Sequence, residues 1–373
     1  ITARIFEDDK DTVGLDQLLD LTEDPPDEST CQPMHKWQTE NYPQCIRMHE
    51  IDMMPRPGSL VFINCGGDRC AWMLVDETDG TKLTLKTQKY RKEFYSNTFE
   101  NARKDGLVME RLTKSQYIAS TYGYCGLSQL VEYSQGGNIH DLVKTTRIRK
   151  NDLQTPLERL KVGIQVANAV ADLHTFENNN ITSVTHGDLC CHQFILIDGI
   201  YKLNDFHMAK FLKSNKKNHE TCKESARFNT RYALVHSPEE SNIRRFSVEK
   251  ADVFSMGNVM YYVLTKKWLF EIGGESVGAA MKKLIGGERS PFPENLQNSK
   301  NPADKALIEG IELAWIHDAS KRPRAREIAD IMIRRLEKIE GRKYVGPDSI
   351  RVSIPPLPQD YRYSDSDFEA NLG

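Results

Sequence analysis

No run of eighteen or more apolar residues occurs in this chain, so the sequence offers no helix of membrane-spanning length. No C-x-x-C pair occurs among its eight cysteines (31, 45, 65, 70, 125, 190, 191, 222), which argues against a zinc ribbon or a thioredoxin-like site. A large excess of charge of one sign is lacking too. A net −3 with 28% charged residues leaves no electrostatic footprint for a nucleic acid or a membrane surface, and no nucleic-acid partner is expected. Internal repeats are absent. The chain opens on Ile1 rather than Met, which reads as a native start further upstream, with a signal peptide or anchor there left open. What remains is length: 373 residues suffice for a sizeable core in one two-lobed domain or in two domains.

Residues 1–57 are acidic and punctuated by proline (EDDKD, LTEDPPDEST), with Leu15 to Leu21 as a short helical piece. Such composition buries little and reads as a loosely packed lead-in ending at the PRPG of 55–58. Within it Cys31 and Cys45 read as free thiols, with a Cys31–Cys45 disulfide as the alternative in an oxidising compartment. From Gly58 the pattern turns to short strands, SLVFINC, AWMLVDE and KLTLKTQ, separated by GGDR and TDGT, which predicts an antiparallel sheet. FENARKDGLVMERL is helical, with Val108, Met109 and Leu112 on one face. The stretch from Pro156 to about Thr175 also has helical spacing, with proline in its first turn. The polar, Pro-rich 341–373 reads as a disordered tail.

The chemistry concentrates between His186 and His207, HGDLCCHQFILIDGIYKLNDFH. Asp188 and Asp205 stand seventeen residues apart with β-rich FILI and IYKL between them. A single Asp there would cap a turn. Two carboxylates on the rims of a short hairpin suit a proton acceptor and a metal holder. Their frame, H-x-D-L-x-x-x-Q followed by D-F-H, resembles the protein-kinase catalytic loop H-R-D-L-x-x-x-N and the metal-binding D-F-G. Further signatures follow in chain order: Lys86 in L-T-L-K, the hinge-like LVEYS, Ser237-Pro238-Glu239, the D-V-F-S-x-G from Asp252 to Gly257, and Arg322 before Pro323.

The resemblance to the protein kinase superfamily implies a two-lobed α+β fold. Residues 58–130 would form an antiparallel N-lobe and 131–340 a mainly helical C-lobe, with ATP and magnesium between them. It implies Asp188 as the base, Lys86 on the α- and β-phosphates, and Asp105 as its acidic partner, with Glu110 the alternative. Gly67 would let backbone approach phosphate, although GGDR taken alone is a plain hairpin turn. Val131 would be the gatekeeper, with Glu132, Tyr133 and Ser134 facing adenine. Asp205 and Gln193 would hold the metal. His186 and Phe206 would pack rather than react, and Glu239 would pair with Arg322.

Several positions depart from the family pattern. Cys190 stands where a lysine normally contacts the γ-phosphate, a loss worth roughly 1.5–3 kcal/mol. Gln193 replaces Asn, His207 replaces glycine, and Gly187 replaces the arginine that senses phosphorylation of the loop. No phosphorylation within 208–236 is therefore expected to be needed. Trp72 replaces a small residue over the adenine. Cys190, Cys191, His192 and His207 lack the usual zinc-ligand spacing and read as thiols and imidazoles without a metal. The segment 208–236 carries seven Lys/Arg against two Glu, which reads as a solvated basic loop. Asn180 begins a glycosylation-like triplet. The leading expectation is transfer of the ATP γ-phosphate to a Ser/Thr-type hydroxyl of a protein substrate. The alternatives are a pseudokinase scaffold and a kinase-fold enzyme for a glycan or small-molecule hydroxyl.

Overall fold

The computed structural model describes residues 30–43 and 60–353, apart from 77–78, 90–94, 96, 150–153, 178–180, 218–219, 224–235, 242–245 and 272–273. Leu15 to Leu21, Cys45 and Asn180 lie outside the described residues.

The chain first forms β1 (Cys31–Pro33) and the short α1 (Trp37–Glu40). A five-stranded antiparallel sheet follows, made of β2 (Leu60–Cys65), β3 (Arg69–Val75), β4 (Lys82–Gln88), β5 (Thr121–Cys125) and β6 (Ser128–Glu132), in the order β2-β3-β4-β6-β5. Helix α2 (Thr98–Arg111) crosses it between β4 and β5. Gly106 sets how closely: a Cβ there would stand 2.8 Å from the Tyr124 ring, so only glycine lets the helix settle on β5 at this distance. Strand β6 runs to Glu132. The LVEYSQGGNIHDLV stretch, expected to be strand, is strand only to Glu132, then a loop, and turns helical where α3 (Ile139–Arg149) begins.

The second lobe is mainly helical. Helix α4 (Pro156–Thr175) starts at a Thr155/Glu158 capping box with Pro156 in the first turn, and its interior is almost wholly buried. Around it lie β7 (Val184–Thr185), the hairpin β8 (Phe194–Ile197) and β9 (Ile200–Leu203), then β10 (Lys210–Phe211) and β11 (Lys213–Asn215). Helices α5 (Val248–Thr265), α6 (Val277–Ile285), α7 (Glu294–Gln297), α8 (Pro302–Ala314) and α9 (Ala325–Glu340) complete the lobe. One apolar core runs from Leu107 and Met109 of α2 through α4 and α5 to Met332 of α9, so burial joins the two lobes.

Two stretches expected to be loose are built into the fold. Strand β1 pairs antiparallel with β11, and a disulfide joins Cys31 to Cys222, not to Cys45. Gln38 Nε2 donates to the Ser183 and Leu212 carbonyls at 3.1 Å each. Trp37 packs edge-on to Phe211 at 5.1 Å, and the Arg111 guanidinium lies 4.4 Å over its ring. Arg103 of α2 donates to the carbonyls of Gln38 at 2.8 Å and Asn41 at 2.7 Å. Residues 30–43 therefore strap α2 to the segment after Asp205. At the other end, Ile350 is fully buried, and its carbonyl accepts from Gln165 Nε2 at 2.6 Å. Val352 N–H donates to the Gly199 carbonyl at 2.9 Å, so the tail is packed to at least this point. Composition marked both stretches as polar, but a few apolar and amide side chains suffice to dock them.

Candidate active site

Alternation along the first sheet decides what faces the interlobe cleft. Ala71 lies opposite Lys86 and Trp72 opposite Leu85, so Arg69, Ala71, Met73, Thr84 and Lys86 share one face. Val131, paired with Thr84, is buried on that same face. Trp72 lies on the other face. There it meets Phe62 at 5.1 Å and donates its indole N–H to Thr87 Oγ1 at 3.1 Å. Trp72, expected over the adenine, therefore points away from the face of Lys86, which its neighbours Ala71 and Met73 share. Between β2 and β3 the Gly66–Asp68 turn is closed by a Cys65–Cys70 disulfide, with Gly66 N–H bonded to the Arg69 carbonyl at 2.9 Å. It is a tight hairpin rather than a long glycine-rich flap, and Gly67 sits at its tip.

Arg69 is the residue the sequence reading missed. Its guanidinium lies 2.6 Å from Asp105 Oδ2 and 2.6 Å from Asp205 Oδ1, bridging helix α2 to the D-F-H motif. Lys86 Nζ, expected against Asp105, instead donates to Asn204 Oδ1 at 2.5 Å. Period-2 parity alone could have flagged Arg69, two residues before Ala71 on the face of Lys86. Asp105 is wholly buried, and its Oδ1 accepts the Phe206 N–H at 2.6 Å. The shorter acid thus reaches backbone and arginine rather than lysine. Glu110, five residues further on, is only half-buried.

Asp205 adopts φ +67°, an uncommon conformation for a residue with a side chain, and such outliers gather at functional sites. His207 Nδ1 lies 2.7 Å from the same Oδ1 that Arg69 holds. Burial alone would raise this carboxyl, but His207, Arg69 and Lys86 hold it well below the usual carboxylate range. The Lys86 ammonium is lowered by burial, partly offset by Asp105 and Asp205.

The backbone of the loop from His186 to Gln193 hangs on one side chain. Asp252 of α5 accepts the N–H groups of His186 at 2.7 Å and Gly187 at 3.0 Å, and its Oδ2 lies 3.1 Å from His174 Nε2. His186 is fully buried, 5.2 Å from the Phe206 ring, with its Nε2 3.2 Å from the Asn204 carbonyl oxygen. Gly187 has φ +74°, and a Cβ there would stand 2.8 Å from the Met208 carbonyl oxygen. No arginine fits this backbone. Asp188 is raised by burial, against the pull of His186, His207 and His236, and its Oδ2 accepts from Gln193 Nε2 at 3.3 Å. Cys190 is a half-buried free thiol, pushed far up by desolvation. Burial also pushes the His192 imidazole down to about 3.

Of the hinge residues, Glu132 carries its carboxylate on Lys202 at 2.7 Å and donates its N–H to the Ser120 carbonyl at 3.0 Å. Tyr133 follows directly, beneath the Lys82 ammonium at 6.0 Å. Ser134 Oγ donates to the Leu196 carbonyl at 2.8 Å. Farther off, Arg322 is fully buried and pairs with Glu239 at 2.6 Å, as expected.

Two oxygens of the kind magnesium takes are left over at these residues. Asp205 Oδ2 takes no hydrogen bond among the described residues, and with Gln193 Nε2 given to Asp188 its Oε1 is the remaining ligand atom.

A family model for protein tyrosine and serine/threonine kinases matches residues 69–332. Mitogen-activated protein kinase kinase kinase 7 of Homo sapiens is 27% identical over 250 residues, 65% of this chain and 37% of that protein. The same kinase of Bos taurus is 27% identical over 250 residues, covering 39% of its length. A probable serine/threonine-protein kinase of Dictyostelium discoideum is 24% identical over 247 residues, 61% of this chain and 25% of that protein. The chain spans well under half the length of these relatives.

Proposed function

The chain belongs to the protein tyrosine and serine/threonine kinase family, and we propose that it moves the γ-phosphate of ATP to a Ser/Thr-type hydroxyl of a protein substrate. The observation that carries this reading is the set of direct contacts from Asp105 to Phe206 N–H and from Arg69 to both Asp105 and Asp205. They hold helix α2, the phosphate-facing strands and the D-F-H motif together in one cleft.

Asp188 accepts the proton of the attacking hydroxyl. Its burial-raised carboxyl is a better base than an exposed aspartate would be. Lys86 and Arg69 present positive charge to the phosphate chain, and Gly67 at the hairpin tip leaves room for backbone to approach it. Adenine lies against Ala71 and Val131, with the Glu132 and Tyr133 backbone as its polar edge. Magnesium, held by Asp205 and Gln193, would neutralise charge on the β- and γ-phosphates. Cys190, in place of a γ-phosphate lysine, slows turnover by about 10- to 150-fold.

The Cys31–Cys222 and Cys65–Cys70 disulfides and the disulfide-bonded Cys125 support an oxidising compartment as the working place. There a glycan hydroxyl is an alternative acceptor. A pseudokinase is the second reading, favoured by one contact: Arg69 already occupies Asp205 Oδ1.

The test is the thermal shift with ATP and magnesium against magnesium alone, for wild type, Lys86→Ala and Asp205→Asn. At a hundredfold excess over Kd the ligand adds about 2.7 kcal/mol. A shift lost in both variants, with phosphoryl transfer abolished by Asp188→Asn, supports the kinase. No shift in wild type overturns it in favour of the scaffold.

A further inference from the structure

His140, Cys191 and His192 converge in the C-lobe, outside the nucleotide machinery. One candidate ligand atom from each lies within 4.8 Å of the other two. Cys191 and His192 belong to the loop between Asp188 and Gln193, whereas His140 comes from the first turn of α3. The sequence reading weighed Cys190, Cys191, His192 and His207 together. Folding separates that set, sending His207 to Asp205 and bringing in His140 from fifty residues upstream.

We propose that His140, Cys191 and His192 form a structural binding site for a soft divalent cation, zinc in the first place. Cys191 Sγ lies 3.7 Å from His192 Nδ1. A tetrahedral zinc with Zn–N near 2.0 Å and Zn–S near 2.3 Å separates nitrogen and sulfur by roughly 3.6 Å. The pair is therefore already spaced as two corners of the coordination shell. Tyr262 Oη lies 2.9 Å from His140 Nδ1, the kind of outer contact that fixes a ligating imidazole and turns its Nε2 toward the ion. The His140 ring is further held by stacking on Trp268 at 5.8 Å and lies 4.6 Å from the His192 ring.

Two imidazoles and a thiolate select zinc over magnesium, so the site does not compete with Asp205 for its metal. Cys190 Sγ also lies 3.8 Å from His192 Nδ1, but the three convergent groups are His140, Cys191 and His192, so a water would complete the shell. A small cavity of about 20 Å³, lined by Cys190, Cys191, Tyr262 and Trp268 among others, lies beside the cluster and has room for about one water. Redox chemistry points the same way. Cys190 and Cys191 are free thiols, whereas the other described cysteines are all disulfide-bonded. An ion here clamps the loop that carries Asp188 and Gln193 to helix α3.

The test uses the full chain, stripped with EDTA and titrated with zinc alone, then with cobalt(II) as a spectroscopic substitute. The expected result is one zinc per chain, a raised Tm, and a cobalt spectrum with tetrahedral d–d bands and a thiolate charge-transfer band. His140→Ala and Cys191→Ser should each weaken zinc more than tenfold, and Tyr262→Phe by about 10- to 100-fold. A wild-type chain that takes up no zinc and gives no thiolate–cobalt band overturns the proposal whether or not the variants fold. Unchanged affinity in folded His140→Ala and Cys191→Ser overturns it as well. None of these readouts depends on phosphoryl transfer.

Discussion

Arg69 Nη2 stands 2.6 Å from Asp205 Oδ1, so the carboxylate expected to hold metal is already paired with a strand guanidinium. The other arm of the same group holds Asp105, which is wholly buried. Arg69 thus does for helix α2 what Lys86 was expected to do.

Replacing Arg69 by alanine leaves the buried Asp105 with the Phe206 N–H as its hydrogen-bond partner among the described residues. Breaking one side of a buried pair costs about 3–5 kcal/mol. Urea unfolding of Arg69→Ala should show a loss in that range, whereas Lys86→Ala, which removes a hydrogen bond to Asn204, should cost distinctly less. Equal losses would mean that Lys86 is the true partner of Asp105.

Trp72→Ala should lower stability without improving ATP binding. The side chain packs on Phe62 and Thr87, on the sheet face opposite Lys86. A cost of about 2–3 kcal/mol is expected for a partly buried tryptophan. ATP titration of the variant checks the second half: a tenfold gain in affinity would put the indole in the adenine site after all.

The Cys31–Cys222 disulfide closes a loop spanning 191 residues and ties residues 30–43 to the segment after Asp205. Cys222→Ser should lower stability by about 2–4 kcal/mol and cut phosphoryl transfer, because β1 and β11 then lose their covalent tie and keep only hydrogen bonds, among them Asn215 to Thr30. Alanine at Ser214, Thr221, Ser225 and Thr230 together should leave activity within a few-fold of wild type. Abolished activity in that quadruple variant would show that phosphorylation, not the strap, orders the segment.

Gly187→Ala tests why this loop has no arginine. The left-handed backbone alone costs a residue with a Cβ about 1–2 kcal/mol, and the new methyl group would press on the Met208 carbonyl. Lower Tm and slower phosphoryl transfer are expected together. A neutral Gly187→Ala or an activating Gly187→Arg would contradict the geometry.

Stability should fall in acid through Asp252. Burial raises this carboxyl, but the His174 contact and the His186 N–H pull it below the ordinary aspartate range. A folded-state value below the unfolded one means that the stabilisation is fully present above the unfolded pKa of about 3.9. It is lost as pH falls through the folded value. Unfolding free energies from pH 7 downward should decline below about pH 5, and Asp252→Asn should be less stable at pH 7 with a shallower acid limb. Parallel pH curves for the two proteins would assign the acid loss to other carboxylates.

What the sequence determined by itself was local. H-G-D-L-x-x-x-Q, D-F-H, S-P-E and D-V-F-S-x-G each sit within a few consecutive residues, so turn chemistry and period-2 or 3.6 patterning expose them directly. The antiparallel sheet, the helix carrying Asp105 and the capped helix after Thr155 were legible for the same reason. Only the tertiary structure decided that Arg69, and not Lys86, reaches Asp105, since both side chains share one sheet face and the approach of α2 selects between them. It likewise decided that Cys31 meets Cys222 across 191 residues and that His140 meets Cys191 and His192. It also decided that polar stretches at both ends dock onto the core. These are contacts between segments distant in the chain, chosen by packing and burial after the local elements exist, and no short window of sequence carries them.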